Sequence, residues 1–271
     1  MADIKGYKES VISFIDILGF REIVGKRKQN DILNILKATR KFFQYERGAS
    51  ASFSLEEKFT NFSDTIIRSV PINSDENKSL PMGIFFMELI DLLHAQCDLI
   101  ANGVLVRGAV TIGQIYHDES YVFGPGLNAA YELEKSAAIY PRIVIDTKAL
   151  LAHKRNKLLR NVDNDYAYEK DELKELLRCS SDGVWFIDYL RAIAEEMDKP
   201  EVDYWKFLAA HKNLIVSYSS KHKKLDSVAL KHNWLAKYHN EVVEGFPKDF
   251  KPTKLKKLVI TNKEVKTFHN L

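Results

Sequence analysis

Residues 10–18, SVISFIDIL, constrain this chain more than any other stretch. The run is rich in Val and Ile, carries one charge, Asp16, and stops at Gly19. An apolar, β-branched run of this length ended by glycine predicts a strand buried on both faces. Asp16 then stands among Phe14, Ile15, Ile17 and Leu18, where an unpaired carboxylate costs several kcal/mol. It calls for a cation or, alternatively, caps a following helix.

The pattern beyond that strand sets the fold class. Ile32, Leu33, Ile35, Leu36, Phe42 and Phe43 recur at helical spacing over 30–45. Residues 51–70 hold two strand-like pieces broken at NFSD, 61–64. A long apolar-striped helix is expected over 82–102, a strand over 103–112 with Gly113 marking a turn, and a second strand near 116–123. A helix over 126–138, a strand over 142–146 and a hairpin-like segment over 182–190 follow. The order predicts an α+β fold, a βαββαβ ferredoxin-like sheet with helices on one face and extra strands beyond it. From 203 to 243 the spacing is helical again, so residues 1–190 are read as one domain and 191–271 as a helical appendage. Its last thirty residues, with Pro247 and Pro252, are expected to be partly loose.

Composition narrows the function classes. The 271 residues are 45% hydrophobic, enough for a large core. A net charge of +3 argues against a chain built as a whole to bind nucleic acid. The local basic groups (Lys154, Arg155, Lys157; Lys221, Lys223, Lys224; Lys251, Lys254, Lys256, Lys257) read as solvated faces, with a phosphate-contacting surface as the alternative. Cys97 reads as a core residue, and two cysteines without a secretory signal predict free thiols and a cytoplasmic, reducing compartment. No apolar run reaches the ~20 residues of a membrane span. His211, His222 and His232 lack zinc-site spacing, and there is no P-loop, GxSxG or GxGxxG motif. Asp182 in SSDG reads as a turn residue, and Gly124-Pro125-Gly126 as a tight turn into a helix. Arg178 and Lys174 are weak candidates for a phosphate contact.

Asp64, in NFSDTII, opens another strand. In a ferredoxin-like sheet the first and third strands are antiparallel neighbours, so Asp16 and Asp64 come together at one edge. Two converging carboxylates repel unless a cation joins them, and hard oxygen ligands suit two Mg²⁺ or Mn²⁺ ions. The carbonyl of Ile17 is a further candidate ligand. The amides of Gly19, Phe20 and Arg21 would face a triphosphate at a turn or helix start.

These residues carry a resemblance. FIDILGF at 14–20 is similar to the first metal-binding motif of class III nucleotide cyclases, the adenylate and guanylate cyclase catalytic domain. NFSD at 61–64 sits where that family has its second metal aspartate, with Ser63 in place of the usual glycine. VRGAVTIG at 106–113 and FGPGLNAAYELE at 123–134 resemble two further motifs, in the correct order. The resemblance implies that Asp16 and Asp64 hold two metals and that Asn128 positions the ribose, although Asn128 also suits a helix N-cap. It also implies a homodimer with active sites at the interface.

Several positions depart from the family. Glu132 stands where the family has its transition-state arginine. A carboxylate cannot stabilise charge developing on phosphate. Arg107 is the better substitute and Arg142 the other; a salt bridge to Glu132 or a neighbour is the alternative role for Arg107. Thr60 and Tyr121 replace the adenine-reading pair. Together with AIYPRIVI, these changes resemble the pyrimidine cyclases of bacterial Pycsar anti-phage defence, which implies UTP or CTP as substrate and a separate effector that senses the cyclic product. The rival readings are an inactive cyclase-like nucleotide sensor or scaffold, an adenylate or guanylate cyclase, and a nucleic-acid-binding module built on the basic C-terminal segments.

Overall fold

The structure, a computed structural model, describes residues 6–43, 57–74, 80–219, 227–246 and 252–265. Lys221, Lys223, Lys224, Pro247 and Lys251 lie outside the described residues. The chain forms two compact units, one of residues 1–99 and 104–188, the other of 100–103 and 189–271.

The first unit is a mixed α+β structure. Its elements run β1 (Lys8–Ile17), α1 (Phe20–Lys26), α2 (Gln29–Phe43), β2 (Lys58–Phe62), β3 (Thr65–Pro71), α3 (Ile84–Ala101), β4 (Val106–His117), β5 (Val122–Phe123), α4 (Pro125–Ala137), β6 (Ile143–Ile145), α5 (Thr147–Arg155), α6 (Tyr166–Leu176), β7 (Leu177–Cys179) and β8 (Trp185–Ile187). The strands form one sheet in the order β2-β3-β1-β4-β6-β8-β7, with β5 paired to β4. The first four strands are antiparallel to their neighbours, and β6 joins β4 in parallel.

β1 is central because both of its faces are apolar. Val11, Ile12, Ile15 and Ile17 are all buried. Ser13 donates to Glu88 of α3 at 2.7 Å, and Phe14 meets Tyr131 of α4 edge-on. Successive strand residues point to opposite faces, so α3 covers one face and α4 the other. Helices are therefore not confined to one side. On the α3 side, the enclosed Arg68 lies within 3.3 Å of Glu57, Glu88 and Asp91.

β4 runs through Gly113 to His117 rather than turning there. Gly113 is small because α4 crosses it: a Cβ would stand 2.8 Å from the Cα of Gly126. The turn comes later, where Asp118 accepts from the amides of Ser120 and Tyr121, both at 2.7 Å, and β5 returns along β4. Helices α5 and α6 and strand β7 were not anticipated. The two helices start at side-chain caps, Asp146 accepting from Lys148 N and Asp165 from Tyr168 N.

The second unit contains α7 (Tyr189–Ala192), α8 (Pro200–Ser219), α9 (Ser227–Glu244) and α10 (Pro252–Leu258). Pro252 starts a helix instead of loosening the tail, as suits proline at the first helical position. Asn240 clamps the segment after α10 by bonding both Ile260 N–H, at 2.8 Å, and Ile260 C=O, at 2.9 Å. Among the described residues, no helix is long and apolar enough to cross a membrane.

Candidate active site

The end of β1 assembles the site. Asp16 is paired with Thr65 of β3 on one side and with Arg107 of β4 on the other. Asp64 sits in the two-residue turn between β2 and β3. That turn opens with Ser63 at φ 58°, a left-handed conformation that glycine adopts most easily. Ile17 N–H donates to the Asp64 carbonyl at 3.2 Å and locks the turn against β1. Asp16 does not cap the following helix. Gly19, at φ 75°, precedes α1, with no side-chain cap bond.

Burial raises the Asp16 carboxyl above the ordinary carboxylate range, and the adjacent charge of Asp64 raises it further; Arg107 pulls the other way. Arg107 Nε lies 3.3 Å from Asp16 Oδ2 and 2.8 Å from Glu134 Oε1. Its ion-pair partner on α4 is therefore Glu134, not Glu132, which is exposed on the outer side of the helix. Buried residues on α4 fall at Gly126, Ala130 and Glu134, one stripe at four-residue spacing. Glu134 thus occupies a core-facing position, a signal present in the sequence.

Other candidates lie apart from this cluster. Arg142 is enclosed, with Nη2 2.6 Å from Asp182 Oδ2 and Nη1 2.6 Å from Ser180 Oγ, so it is committed to the 180–184 turn. Asp182 is the expected turn residue, accepting also from Val184 N. Asn128 is not an N-cap: α4 begins after Gly124, and Asn128 N–H donates to the Gly124 carbonyl at 3.2 Å. It stands exposed six residues before Glu134, roughly 9 Å along the helix axis. Tyr121 is 67% exposed in the β4–β5 turn. Gly19 is exposed, while Phe20 is buried in the first turn of α1, where helix geometry leaves amides without intrahelical acceptors. The Ile17 side chain is buried, which leaves its carbonyl as the group that could ligate.

Thr60 lies on β2, and its Oγ1 is 2.8 Å from Nε2 of His117. The other ring nitrogen, Nδ1, is 2.8 Å from Ser69 Oγ. Sequence reasoning missed His117 and Ser69. The strand period carries Arg107 and His117 on one face of β4, but nothing local shows that β4 curls far enough to bring His117 over Ser69.

Among the described residues, no group of three or more His, Cys, Asp or Glu side chains forms a metal cluster. What converges is a pair of aspartates, one of them destabilised as an anion by burial and by the other. That donor set fits a hard divalent cation that takes its remaining ligands from water and substrate oxygens.

No protein-family model matches the chain, and no curated protein matches it. Among solved structures, it is similar to the crystal structure of the catalytic core of a rhodopsin-guanylyl cyclase with converted specificity in complex with ATPalphaS. The identity is 15%, covering 55% of this chain and 82% of that one, with a TM-score of 0.32. So distant a likeness fixes no residue equivalences.

Proposed function

We propose that this chain is a nucleotide cyclase that closes a nucleoside triphosphate, UTP or CTP, into a 3′,5′-cyclic nucleotide and releases pyrophosphate. The observation that carries the reading is the juxtaposition of Asp16 and Asp64 at the end of β1, where the Asp16 carboxylate lacks full charge compensation. The resemblance of four ordered motifs to class III cyclases supports it.

In this reading Asp16, Asp64 and the Ile17 carbonyl hold the metals. Bound Mg²⁺ or Mn²⁺ would supply Lewis-acid activation of the ribose 3′-hydroxyl and neutralise phosphate charge. The first-turn amides after Gly19 face the phosphates, and Arg107 supplies positive charge near the reacting phosphate in place of the family arginine. Arg107 already touches Asp16, whereas Arg142 is tied to Asp182. Catalysis is then chiefly positioning and charge neutralisation.

Asn128 and Tyr121 take their roles from a second copy. Asn128 stands a helix segment away from the aspartates, which supports a homodimer whose active sites lie between subunits. Residues 1–190 would form the catalytic domain and 191–271 the appendage. A separate effector reading the cyclic product, in bacterial anti-phage defence, completes the proposal.

A second reading, an inactive nucleotide sensor, is favoured by Glu132 on the exposed side of α4. Incubating the protein with ATP, GTP, CTP and UTP in Mg²⁺ or Mn²⁺, with products identified by mass spectrometry, separates the two. A cyclic pyrimidine product supports the enzyme. Metal-dependent binding without product supports the sensor.

A further inference from the structure

Exposed lysines on several helices pair with acids one turn away: Lys26 with Glu22, Lys174 with Asp171 and Lys206 with Asp203. Helix α5 and the 3₁₀ turn after it, Lys157–Leu159, carry no such acids. From Thr147 to Val162 the sequence TKALLAHKRNKLLRNV holds five Lys or Arg and no Asp or Glu. Arg160 is committed to structure, donating to the carbonyls of His153 and Lys154. Lys148, Lys154, Arg155 and Lys157 are exposed, and among the described residues none of the four meets a carboxylate.

Leucines stand among these cations. Ala149, His153 and Leu159 are enclosed, which leaves Leu151 and Leu158 on the outer side, each 51% exposed, with Val162 at 67% just beyond. They are held in place. The Asn156 side chain accepts from Leu158 N–H at 3.0 Å, and Arg160 ties the end of α5 to the same turn by its bond to the Lys154 carbonyl, also 3.0 Å. Single exposed leucines are ordinary on a protein surface. Here they are interleaved with four unpaired cations along one short helix and its turn.

We propose that the outer surface of residues 147–162 docks the protein on an anionic phospholipid bilayer. The four cations meet lipid phosphates, while Leu151, Leu158 and Val162 enter the boundary between headgroups and acyl chains. Basic residues interleaved with exposed aliphatic ones suit that boundary, which is charged on one side and apolar on the other. A nucleic acid would satisfy the cations but press the leucines against sugar and phosphate, where they find no apolar partner. The docking face and the aspartate pair lie on different sides of the sheet. The His153 ring of α5 packs on Phe85 of α3, centroids 5.7 Å apart, whereas Arg107 beside Asp16 reaches Glu134 of α4. Docking therefore leaves the aspartate pair clear of the bilayer, and the proposal stands or falls without the cyclase reading.

Co-sedimentation of the full chain with phosphatidylcholine vesicles, with and without phosphatidylserine, tests this. Binding is expected only with phosphatidylserine and should weaken as salt is raised. Each Lys or Arg near an anionic surface strengthens binding about fivefold, so Lys154→Glu with Arg155→Glu should weaken it about tenfold or more. Leu151→Ser with Leu158→Ser should weaken it by about tenfold as well, through lost apolar burial. Lys256→Glu with Lys257→Glu, exposed on α10, changes the net charge equally and should leave binding within about twofold. All these side chains are exposed, and circular dichroism melts check that each variant is folded. No binding of the wild type to phosphatidylserine vesicles, undiminished binding of the leucine variant, or an equal loss in the α10 variant overturns the proposal. Retention on duplex DNA or polyglutamate without vesicle binding assigns the surface to another polyanion and overturns it too.

Discussion

Arg107 reaches across the β1–β4 ladder to within 3.3 Å of Asp16, its register partner on the neighbouring strand. The same Nε lies 2.8 Å from Glu134, a side chain 4% exposed. One guanidinium therefore serves two carboxylates, one structural and one at the proposed metal site. Arg107→Met should lower turnover at least tenfold and also destabilise the fold by about 1–3 kcal/mol, because Glu134 loses its counter-charge. Arg107→Lys should restore most of the stability and less of the turnover, a split that paired urea melts and product assays would show. Equal recovery of both would place Arg107 outside the chemistry.

Asp16→Asn and Asp64→Asn should each reduce cyclic product by three orders of magnitude or more, on the order of what loss of a metal ligand costs a metal-activated nucleophile. In metal-free protein, Asp16→Asn should melt at the same temperature or higher, since it removes an anion that burial and Asp64 disfavour. A large drop in its melting temperature would show that the carboxylate is structural.

The enclosed Arg68, held by Glu57, Glu88 and Asp91, should tolerate no neutral substitute well. Arg68→Met leaves clustered carboxylates without their cation and should cost about 3–5 kcal/mol in a denaturant titration. A loss under 1 kcal/mol would mean that water or protonation relieves the cluster.

At the contact of α4 with the sheet, Gly126→Ala would bring a Cβ to 2.4 Å from Ile12 Cδ1 and 3.0 Å from Gln114 O. Overpacking of this kind should cost about 1–3 kcal/mol. An unchanged thermal midpoint would show that α4 can lift without penalty.

The helical unit predicts its own pH dependence. His239 Nε2 is 3.0 Å from the Leu258 carbonyl and so carries the proton; its Nδ1 accepts from His211 Nδ1 at 3.0 Å, and His211 Nε2 accepts from Tyr189. Burial foremost drives the His239 pKa down to about 4 and that of His211 well below its usual value. With both folded pKa values below the unfolded value, the unfolded chain binds more protons between about pH 4 and 6.5. Stability is full above pH 6.5 and falls on acidification, by up to about 1.4 kcal/mol per pH unit per histidine. Denaturant melts of the wild type and of His211→Phe, compared at pH 7 and pH 5, should show a smaller pH effect in the variant. Identical pH effects would exclude this pair as the source.

Much of the architecture was legible locally. A continuous apolar run ended by glycine located β1, 3.6-residue periodicity located α3 and α4, and Asp16 stood out as the one charge in that run. Glycine and proline were read less well because each serves two purposes. Gly113 marks a close approach of a helix rather than a turn, and Pro252 begins a helix rather than ending order. Helices α5 and α6 went unseen because their polar, capped sequences bury few residues.

The sequence by itself determined which segments could be strands or helices and which side chains were out of place in them, since those properties depend on neighbours along the chain. Only the tertiary structure decided that Arg107 meets Glu134 rather than Glu132, that Arg142 is consumed by Asp182, and that His117 joins Thr60 to Ser69. Those pairings depend on strand register, helix rotation and the curl of β4. These are set by the packing of the whole sheet; local spacing puts Glu134 on the core-facing stripe of α4 but does not name its partner.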